Sequence, residues 1–372
     1  MSKEYKVIGI MSGSSLDGLD ISYARYWQEE GDEKWNFEFI KTELMPYPRK
    51  WQLRLGNLAY QDAITYLKTS AYYGLFIGEQ VREFLLKHNF DKKDIDFIAS
   101  HGHTVFHQPE NHVSSQVGDG AKIAAISGIP TITNLRDTDV ALGGQGAPIS
   151  PVGDKLLFPE FPLALNLGGF ANISAQLADG RLIGFDIVPV NVIINQIARD
   201  LGYDMDKDGS LAREGNVNEE LLNTLNGIWY YDKPFPKCLS LGWVNRVLKP
   251  IFKKAKINKI DLLRTYYEHV AIQIGNALKK INEIGLAEDK ERRMLVTGGG
   301  AFNEFLLERI REYVDVEMVI PDDELVKFKE ALIIGLLGIL RMEGKPNVYA
   351  TVTGADKDTI NGAVYLPPPE TT

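Results

Sequence analysis

The alternation of apolar and polar positions divides the chain into two halves that begin in the same way. In the first half, three strand-like runs precede residues 60–88, where apolar residues recur every three to four positions and predict a helix. The strand-like runs are YKVIGIM, DISYARYW and WNFEFIKTELM. The elements predicted after the helix are the strands IDFIASHGHTVF, SSQVGD and PTITNLR and the helix GAKIAAISG.

The second half restarts with two strands around a glycine turn, LALNLGGFANISAQL, and a third strand, GRLIGFDIV. Its later predicted elements are the strands MLVTGGG and VEMVIP and the helices NVIINQIARDLG, 218–226, 243–254, 260–284, NEFLLERIREYV and FKEALIIGLLGILRMEG. Helix 260–284 has an apolar stripe with core spacing, which predicts either an internal core or a dimer contact. The pattern therefore predicts an α/β chain formed by a coarse duplication of one unit.

Length and composition set the class of protein. The 372 residues exceed the size at which single cores stop growing, so we expect two domains, 1–135 (which 350–372 can rejoin) and 136–349. The net charge of −9 argues against nucleic acid and anionic membranes as main partners, since both require a basic surface. The most apolar run, 331–340, is too short for a membrane span and predicts a buried helix. One cysteine, Cys238, excludes an intrachain disulfide, and without a signal peptide we expect a cytoplasmic protein.

Four glycine-rich turns point to anion binding. They are SGSSLDG (12–18), GGQGAP (143–148), LGGF (167–170) and TGGGAF (297–302), and three of them follow apolar strands. Glycine permits close approach to the backbone, whose N–H groups can cradle a phosphate. None fits the P-loop or the dinucleotide fingerprint. Two hairpin turns in duplicated halves and a later strand–GGG–helix resemble the nucleotide site of the actin, hexokinase and heat-shock chaperone superfamily.

Eight ordered motifs carry a more specific resemblance, which runs from residue 7 to about residue 355. They are MSGSSLDGLD, SHGHTVFHQP, QVGDG, NLRDTDVALGGQGAPISP, LNLGGFANIS, DMDKDGSLAREGNVN, VTGGGAFN and VTGA. Together they resemble the anhydro-N-acetylmuramic acid kinases. The resemblance implies a two-domain actin-like fold (ribonuclease H-like and duplicated) with the nucleotide and the substrate in an interdomain cleft. It also implies a homodimer.

The same resemblance implies a reaction of peptidoglycan recycling. ATP and water convert 1,6-anhydro-N-acetylmuramic acid to N-acetylmuramic acid 6-phosphate, with Mg²⁺ as the metal. Asp186 matches the family's base and Glu330 a family position near the sugar. The implied nucleotide-binding residues are Gly13, Ser14, Ser15, Leu16, Asp17, Gly18, Asp20, Gly168, Gly169, Asn172, Gly298, Gly299 and Gly300, with Asp17 also the metal residue. The implied sugar-binding residues are His101, Thr104, Arg136, Asp139 and Gln145, and Arg136 is expected to pair with the lactyl carboxylate.

The sequence departs from the family pattern in two places. Around Asp186, both glycines of the family's D-x-G-P-G-N are valines, Val188 and Val190. Valine resists positive φ, so we expect a different local turn or a different approach of the chain. In PKCLSLGWV (236–244) the arginine and glutamate of the family are missing, so no site residue is assigned there.

Alternative interpretations remain open at this stage. The spacing of His101, His103 and His107 could suit a metal, but no second signature supports one, and a lining of the sugar pocket is favoured. A kinase of this fold could act on a different sugar, and an ATP-regulated binding protein would hydrolyse ATP without a sugar. A glycosidase using Asp186 and Glu330 would leave the glycine turns unexplained.

Overall fold

The computed structural model describes residues 3–13, 15–287 and 292–369. The chain forms two compact units: unit 1 is Met1–Pro159 with Phe328–Thr372, and unit 2 is Glu160–Lys327. The boundaries expected from sequence, at residues 135 and 349, both fall inside unit 1. The segment after residue 135 stays in unit 1, where Asp154 forms a buried ion pair of 2.8 Å with Lys329.

Unit 1 contains a six-stranded sheet in the order β13-β7-β4-β1-β2-β3, counted over the described residues. Its strands are β1 (Lys3–Met11), β2 (Gly18–Gln28), β3 (Asn36–Pro46), β4 (Phe97–Ser100), β7 (Thr131–Thr133) and β13 (Ala363–Tyr365). The first three strands are antiparallel, whereas β4 runs parallel to β1 and to β7. A separate hairpin consists of β5 (His103–Gln108) and β6 (Val113–Val117).

The helices of unit 1 bury the sheet. They are α1 (Arg49–Gly56), α2 (Ala63–His88), α3 (Gly120–Ser127), α4 (Asp137–Ala141), α5 (Ser150–Leu157), α12 (Asp323–Met342, which begins in unit 2) and α13 (Ala350–Thr353). Helix α12 packs directly on β1. The contact is so close that a Cβ on Gly9 would lie 1.9 Å from the carbonyl oxygen of Ala331, so only glycine fits there. The Tyr26 hydroxyl also donates to the Leu332 carbonyl at 2.7 Å. The prediction that 331–340 is a buried helix is confirmed.

Unit 2 repeats the arrangement of unit 1. Its five-stranded sheet has the order β10-β9-β8-β11-β12, which corresponds to β3-β2-β1-β4-β7. The strands are β8 (Leu163–Leu167), β9 (Phe170–Gln176), β10 (Leu182–Pro189), β11 (Arg293–Thr297) and β12 (Glu317–Val319). The first three are antiparallel and the last two run parallel to β8, as in unit 1. The predicted α/β class and duplication are therefore confirmed.

The core of unit 2 forms around one long helix. Its helices are α6 (Asn191–Asp200), α7 (Ser210–Arg213), α8 (Glu219–Asn226), α9 (Leu241–Lys254), α10 (Lys259–Ile284) and α11 (Glu304–Arg311). Helix α10 is capped by Asn258, whose side chain accepts the Asp261 N–H. Tyr266, Val270 and Ile274 are fully buried, so the apolar stripe lies in the internal core of this unit.

The structure differs from the pattern-based prediction at one strand. The run IDFIASHGHTVF is not continuous, because Gly102 adopts φ +72° and turns the chain between β4 and β5. Short elements such as α4, α7 and β13 were also not predicted, since they are too short to show a period. Among the described residues, no helix is long and apolar enough to cross a membrane.

Candidate active site

The first glycine turn joins β1 to β2 in unit 1. A Cβ on Gly18 would lie 2.4 Å from the Met45 carbonyl oxygen, so only glycine fits against β3. A Cβ on Gly13 would meet nothing closer than 3.4 Å. The residue with positive φ is Leu16, at +58°, an uncommon conformation for a bulky side chain. Ser14, predicted to bind the nucleotide, lies outside the described residues.

Two aspartates flank this turn. Asp17 Oδ1 accepts the Ser15 hydroxyl at 2.5 Å and the Gly18 N–H at 3.0 Å. Burial, and next the nearby Asp17 and Glu330 carboxylates, together raise the pKa of Asp20 to about 7. No three His, Cys, Asp or Glu residues in the described part of the chain are grouped as a metal cage. Mg²⁺ does not need one, because it commonly takes one or two carboxylates together with phosphates and waters.

A buried polar chain supports the turn from behind. Ser12 Oγ lies 2.7 Å from the Tyr47 hydroxyl and 3.0 Å from His103 Nδ1. The Tyr47 hydroxyl also contacts that of Tyr73. Burial lowers the pKa of His103 to about 4, so this imidazole is neutral near pH 7. Because every link is buried, the chain fixes the start of the glycine turn relative to β5.

Arg136 and Asp139 organise the GGQGAP loop of unit 1. Arg136 donates from Nε to His101 Nε2 at 2.9 Å and from its terminal nitrogen to the Gly146 carbonyl. Asp139, which is fully buried, accepts the Gly146 N–H at 2.8 Å and the Thr353 hydroxyl at 2.7 Å. The loop is therefore held by a cation on one side and a carboxylate on the other.

The remaining predicted residues of unit 1 lie on three different elements. Thr104 is half-buried on β5, and its hydroxyl accepts from Gln116 at 3.5 Å. Gln145 donates its backbone N–H to the Thr353 carbonyl at 2.8 Å, which ties the loop to α13. Glu330 is half-buried on α12, next to the buried Lys329.

In unit 2, two glycine turns and the start of a helix converge. A Cβ on Gly298 (φ +82°) would lie 2.4 Å from Asn166 Oδ1, and one on Gly300 would lie 2.8 Å from Leu167 Cβ. The Val190 N–H donates to the Gly169 carbonyl at 2.8 Å, and the Asn191 N–H donates to that of Gly168 at 3.3 Å. The TGGG turn, the LGG turn and the start of α6 thus form one backbone cluster. Gly298 and Gly300 leave no space for a side chain against the LGG turn, so the cluster consists of main-chain groups, which fit the phosphates of a nucleotide.

A row of polar side chains crosses the sheet beside this cluster. Asp186 pairs with Asn172, Asn172 with Asn166, and Asn166 with Thr297, across β10, β9, β8 and β11. Directly opposed residues share one face of a sheet, so the four side chains form a line. Among the described residues the buried Thr297 hydroxyl has no hydrogen-bond partner. Asn166 lies within the motif LNLGGFANIS but could not be singled out from the sequence, because a motif does not show which residues pair across strands.

Asp186 is held by one segment, 230–239, at three points. Its N–H donates to the Lys237 carbonyl at 3.1 Å, and its own carbonyl accepts the Tyr230 hydroxyl at 2.7 Å. The Leu239 N–H donates to Oδ2 at 2.8 Å. A β-bulge follows directly at Ile187 and re-aims the strand. The 236–244 run, to which no site residue was assigned from sequence, therefore supplies groups that position Asp186.

Comparison with known proteins places these features in one family. The sequence profile of the family "Anhydro-N-acetylmuramic acid kinase" matches residues 5–367. The chain belongs to this family. A family relative from Vibrio cholerae serotype O1 is 30% identical over 99% of this chain and 100% of its own. A second relative, from Pseudomonas syringae pathovar tomato, is 31% identical over 97% of this chain and 99% of its own. Both are named anhydro-N-acetylmuramic acid kinase, so the family is one of sugar kinases, which are phosphotransferases.

Solved structures that resemble the chain are distant. Component A of the (R)-2-hydroxyglutaryl-CoA dehydratase of Acidaminococcus fermentans is 13% identical, with a TM-score of 0.41 over 89% of this chain and 96% of its own. A glucose-bound hexokinase from Schistosoma mansoni is 12% identical, with a TM-score of 0.35 over 90% of this chain and 85% of its own. The duplicated sheet order within the two units, in a chain of this family, identifies the actin-like fold.

The two valines that depart from the family pattern prove to be core residues. Val188 and Val190 are both 0% exposed and belong to the hydrophobic core of unit 2. Val190 has φ −120°, and Val188 is not among the residues with positive φ. The backbone beside Asp186 therefore needs no glycine in this protein. Both valines fill the hydrophobic core of unit 2 next to the bulge.

Proposed function

We propose that the chain is an ATP-dependent anhydro-N-acetylmuramic acid kinase of peptidoglycan recycling. Its reaction couples hydrolytic opening of the 1,6-anhydro ring to phosphorylation of the 6-oxygen. The observation that carries the proposal is the way unit 2 holds Asp186 at three points, on a sheet whose strands β8 and β11 end in the glycine turns. A fixed carboxylate and a backbone anion cradle are the two features that this chemistry requires.

The nucleotide is assigned to the glycine turns of each unit. In unit 2, Gly168, Gly169, Gly298, Gly299 and Gly300 are assigned to the phosphate and adenosine groups, and Asn172 is assigned to the same site. In unit 1, the described residues of the first turn are Gly13, Ser15, Leu16, Asp17, Gly18 and Asp20. Asp17 would hold Mg²⁺, whose charge offsets that of the phosphates. A phosphoryl transfer needs positioning more than covalent help, and main-chain groups supply it.

Asp186 is assigned as the general base. It removes a proton from a water molecule whose oxygen bonds to the anomeric carbon. The bond from that carbon to the 6-oxygen breaks, and the 6-oxygen then attacks the γ-phosphorus, releasing ADP. The Leu239 N–H on Oδ2 fixes the rotamer of the carboxylate. Glu330 is assigned as the second catalytic carboxylate, near the sugar.

The sugar is assigned to residues of unit 1. A muramic acid carries a lactyl carboxylate, and a guanidinium pairs with a carboxylate through two parallel hydrogen bonds. Arg136 is the assigned partner, and its plane is fixed by His101 and Gly146. Thr104 and Gln145 are assigned as further hydrogen-bonding residues, while Asp139 holds the loop on which Gln145 lies.

Product analysis by mass spectrometry tests the proposal. The protein is incubated with ATP, Mg²⁺ and 1,6-anhydro-N-acetylmuramic acid in water enriched in oxygen-18. We expect a 6-phosphate that carries one heavy oxygen at the anomeric position, trapped before exchange. Phosphorylation of plain hexoses instead would identify a kinase for another sugar. ATP hydrolysis that no sugar stimulates would identify an ATP-regulated binding protein, and a product formed without ATP would identify a glycosidase.

We also propose a homodimer, which the resemblance to the family supports. Light scattering on the purified protein is expected to give twice the chain mass of 41.6 kDa. A mass equal to one chain at micromolar concentration would contradict it.

A further inference from the structure

His101 occupies an unusual position for a residue expected to contact the sugar. It is 3% exposed and lies at the end of β4, where Gly102 turns the chain with φ +72°. Its Nδ1 lies 3.0 Å from the carbonyl oxygen of Gly102, and its Nε2 lies 2.9 Å from Arg136 Nε. Both ring nitrogens are therefore bonded within unit 1, and the side chain is buried.

The two partners determine the tautomer of the imidazole. A carbonyl oxygen only accepts, so Nδ1 must carry the proton. A guanidinium N–H only donates, so Nε2 must present its lone pair. Burial, and next the adjacent Arg136 charge, lowers the pKa of His101 to about 3, so the ring is neutral near neutral pH. His101 is thus a fixed acceptor for Arg136, and the glycine after it provides the bond that fixes the tautomer.

Arg136 is held at a second point by the Gly146 carbonyl. Gly146 is in turn fixed by its N–H bond to Asp139 Oδ2 at 2.8 Å. Bonds to Nε and to a terminal nitrogen together define the plane of a guanidinium. Losing the His101 acceptor would remove the bond to Nε, one of the two bonds that define this plane.

We propose that His101 is a positioning residue that orients the Arg136 guanidinium for recognition of a carboxylate on the sugar. This inference rests on the proposed function, in which Arg136 binds the lactyl carboxylate. It assigns to His101 a role in specificity, exerted through Arg136, in place of direct contact with the substrate. The acid form of the sugar is then preferred over a neutral form only when Nε2 is present as an acceptor.

Two substitutions at the same position separate this role from simple packing. The amide oxygen of His101→Gln reaches the place of Nε2 and can accept from Arg136. The shorter side chain of His101→Asn reaches only as far as Nδ1 and cannot. Each variant is assayed with 1,6-anhydro-N-acetylmuramic acid and with its lactyl methyl ester, which lacks the charge. The readout is the ratio of kcat/KM for the acid to kcat/KM for the ester.

We expect His101→Asn to lower this ratio about 10-fold or more, as for loss of a charge-assisted bond, and His101→Gln to keep it within about 3-fold. The KM for ATP should not change in either variant. Equal ratios in wild type and in His101→Asn would overturn the inference. So would equal losses in His101→Asn and His101→Gln, since that result indicates packing alone.

Two further measurements distinguish the failure of this inference from failure of the proposed function. If Arg136→Ala leaves the acid-to-ester ratio unchanged, the arginine does not bind the carboxylate and the functional assignment fails. If Arg136→Ala abolishes the preference but His101→Asn does not, only the positioning role fails. Should His101→Asn not fold, nitrogen-15 NMR of the unmodified protein gives the tautomer directly. A proton on Nδ1 supports the inference, and a proton on Nε2 overturns it.

Discussion

At the scale of single residues, Asp186 shows how the backbone sets the position of a reactive group. Its N–H, its carbonyl and its Oδ2 are each bonded to a residue between 230 and 239. A charged oxygen that accepts a backbone N–H is held more strongly than a neutral one. Lys237 supports this segment in turn, since its buried ammonium donates to the carbonyl of Tyr230 at 3.1 Å.

Replacing Asp186 by asparagine is expected to abolish the base and little else. The amide oxygen of Asp186→Asn can still accept the Leu239 N–H, so the fold is retained, while kcat falls by about 10²–10⁴-fold. Binding of an ATP analogue, measured by calorimetry, should stay within about 3-fold of wild type. Asp179→Asn is the matched control, because Asp179 is exposed and paired with Arg181 on the surface of the same unit. Near-normal turnover by Asp186→Asn would rule out the base assignment.

Tyr230→Phe tests the hydroxyl that holds the Asp186 carbonyl. The change leaves a buried carbonyl without this donor, which costs about 1–3 kcal/mol of unfolding free energy. We also expect a lower kcat with an unchanged KM for ATP, because Asp186 then keeps only two of the three bonds that position it. Tyr203→Phe, at a residue that is 55% exposed, provides the comparison and should leave both quantities unaltered. A loss of stability without any loss of kcat would show that the hydroxyl serves the fold alone.

At the scale of elements, the two glycine turns of unit 2 act as one structure. Gly298 and Gly300 press against Asn166 and Leu167, while the start of α6 donates to Gly168 and Gly169. Each segment is an ordinary turn by itself, and only their contact produces a cluster of main-chain groups. The equivalent turn of unit 1 has a different backbone conformation, in which Leu16 has positive φ and Gly18 packs closely against β3.

Gly298→Ala tests the contact between the two turns of unit 2. Gly180 has nearly the same φ, +85° against +82°, but a Cβ there would meet nothing within 4 Å. Alanine at either position has to adopt a positive φ, whereas only at 298 must Asn166 also move. We expect Gly298→Ala to raise the KM for ATP at least 10-fold and Gly180→Ala to leave it unchanged. Equal effects of the two substitutions on KM would contradict a role for the cluster in nucleotide binding.

At the scale of the whole molecule, the two units share one strand order but carry different candidate site residues. Both units place three antiparallel strands before two parallel ones. Unit 1 carries five of the six histidines and Arg136, and unit 2 carries Asp186 and the GGG turn. Several of the titratable groups of both units are buried without a charge, so the stability of the whole chain depends on pH.

Acidification is expected to destabilise the protein between pH 6.5 and about 4. Burial lowers the pKa of His101 and His269 from 6.5 to about 3, and that of His103 and His107 to about 4. In this range the unfolded chain binds more protons than the folded one, so each histidine costs up to about 1.4 kcal/mol per pH unit as the pH falls. Two carboxyl groups act in the opposite direction. Burial, and next the Asp17 and Glu330 carboxylates, raises the pKa of Asp20 to about 7, and burial also raises the pKa of Asp139, but these are two groups against four.

Urea unfolding at pH 5 and pH 7.5 measures this dependence. The midpoint should be lower at pH 5, and the difference should shrink in His103→Gln, which removes one of the four groups. Asp20→Asn should widen the difference, since it removes one of the two opposing groups. A midpoint that does not change with pH would contradict the buried neutral state of these histidines.

Much of the fold was predictable because its helices and strands show as periodic patterns of apolar residues in the sequence. Strands alternate with period 2 and helices with period 3.6, so β1, β2, α2 and α10 could be found from the chain alone. The strand β4 was predicted too long, since nothing in the pattern shows that Gly102 takes positive φ. The domain boundaries were predicted inside unit 1, because the pairing of Lys329 with Asp154 joins positions 175 residues apart.

The sequence by itself determined the class of fold, its duplication and the family, since these depend on periodicity and on short motifs in a fixed order. Tertiary structure alone decided which groups hold the reactive ones. The bonds from Leu239 to Asp186 and from Arg136 to His101 join residues 53 and 35 positions apart. A hydrogen bond depends on distance and direction in space, and a sequence pattern records only whether a position is buried and on which face it lies.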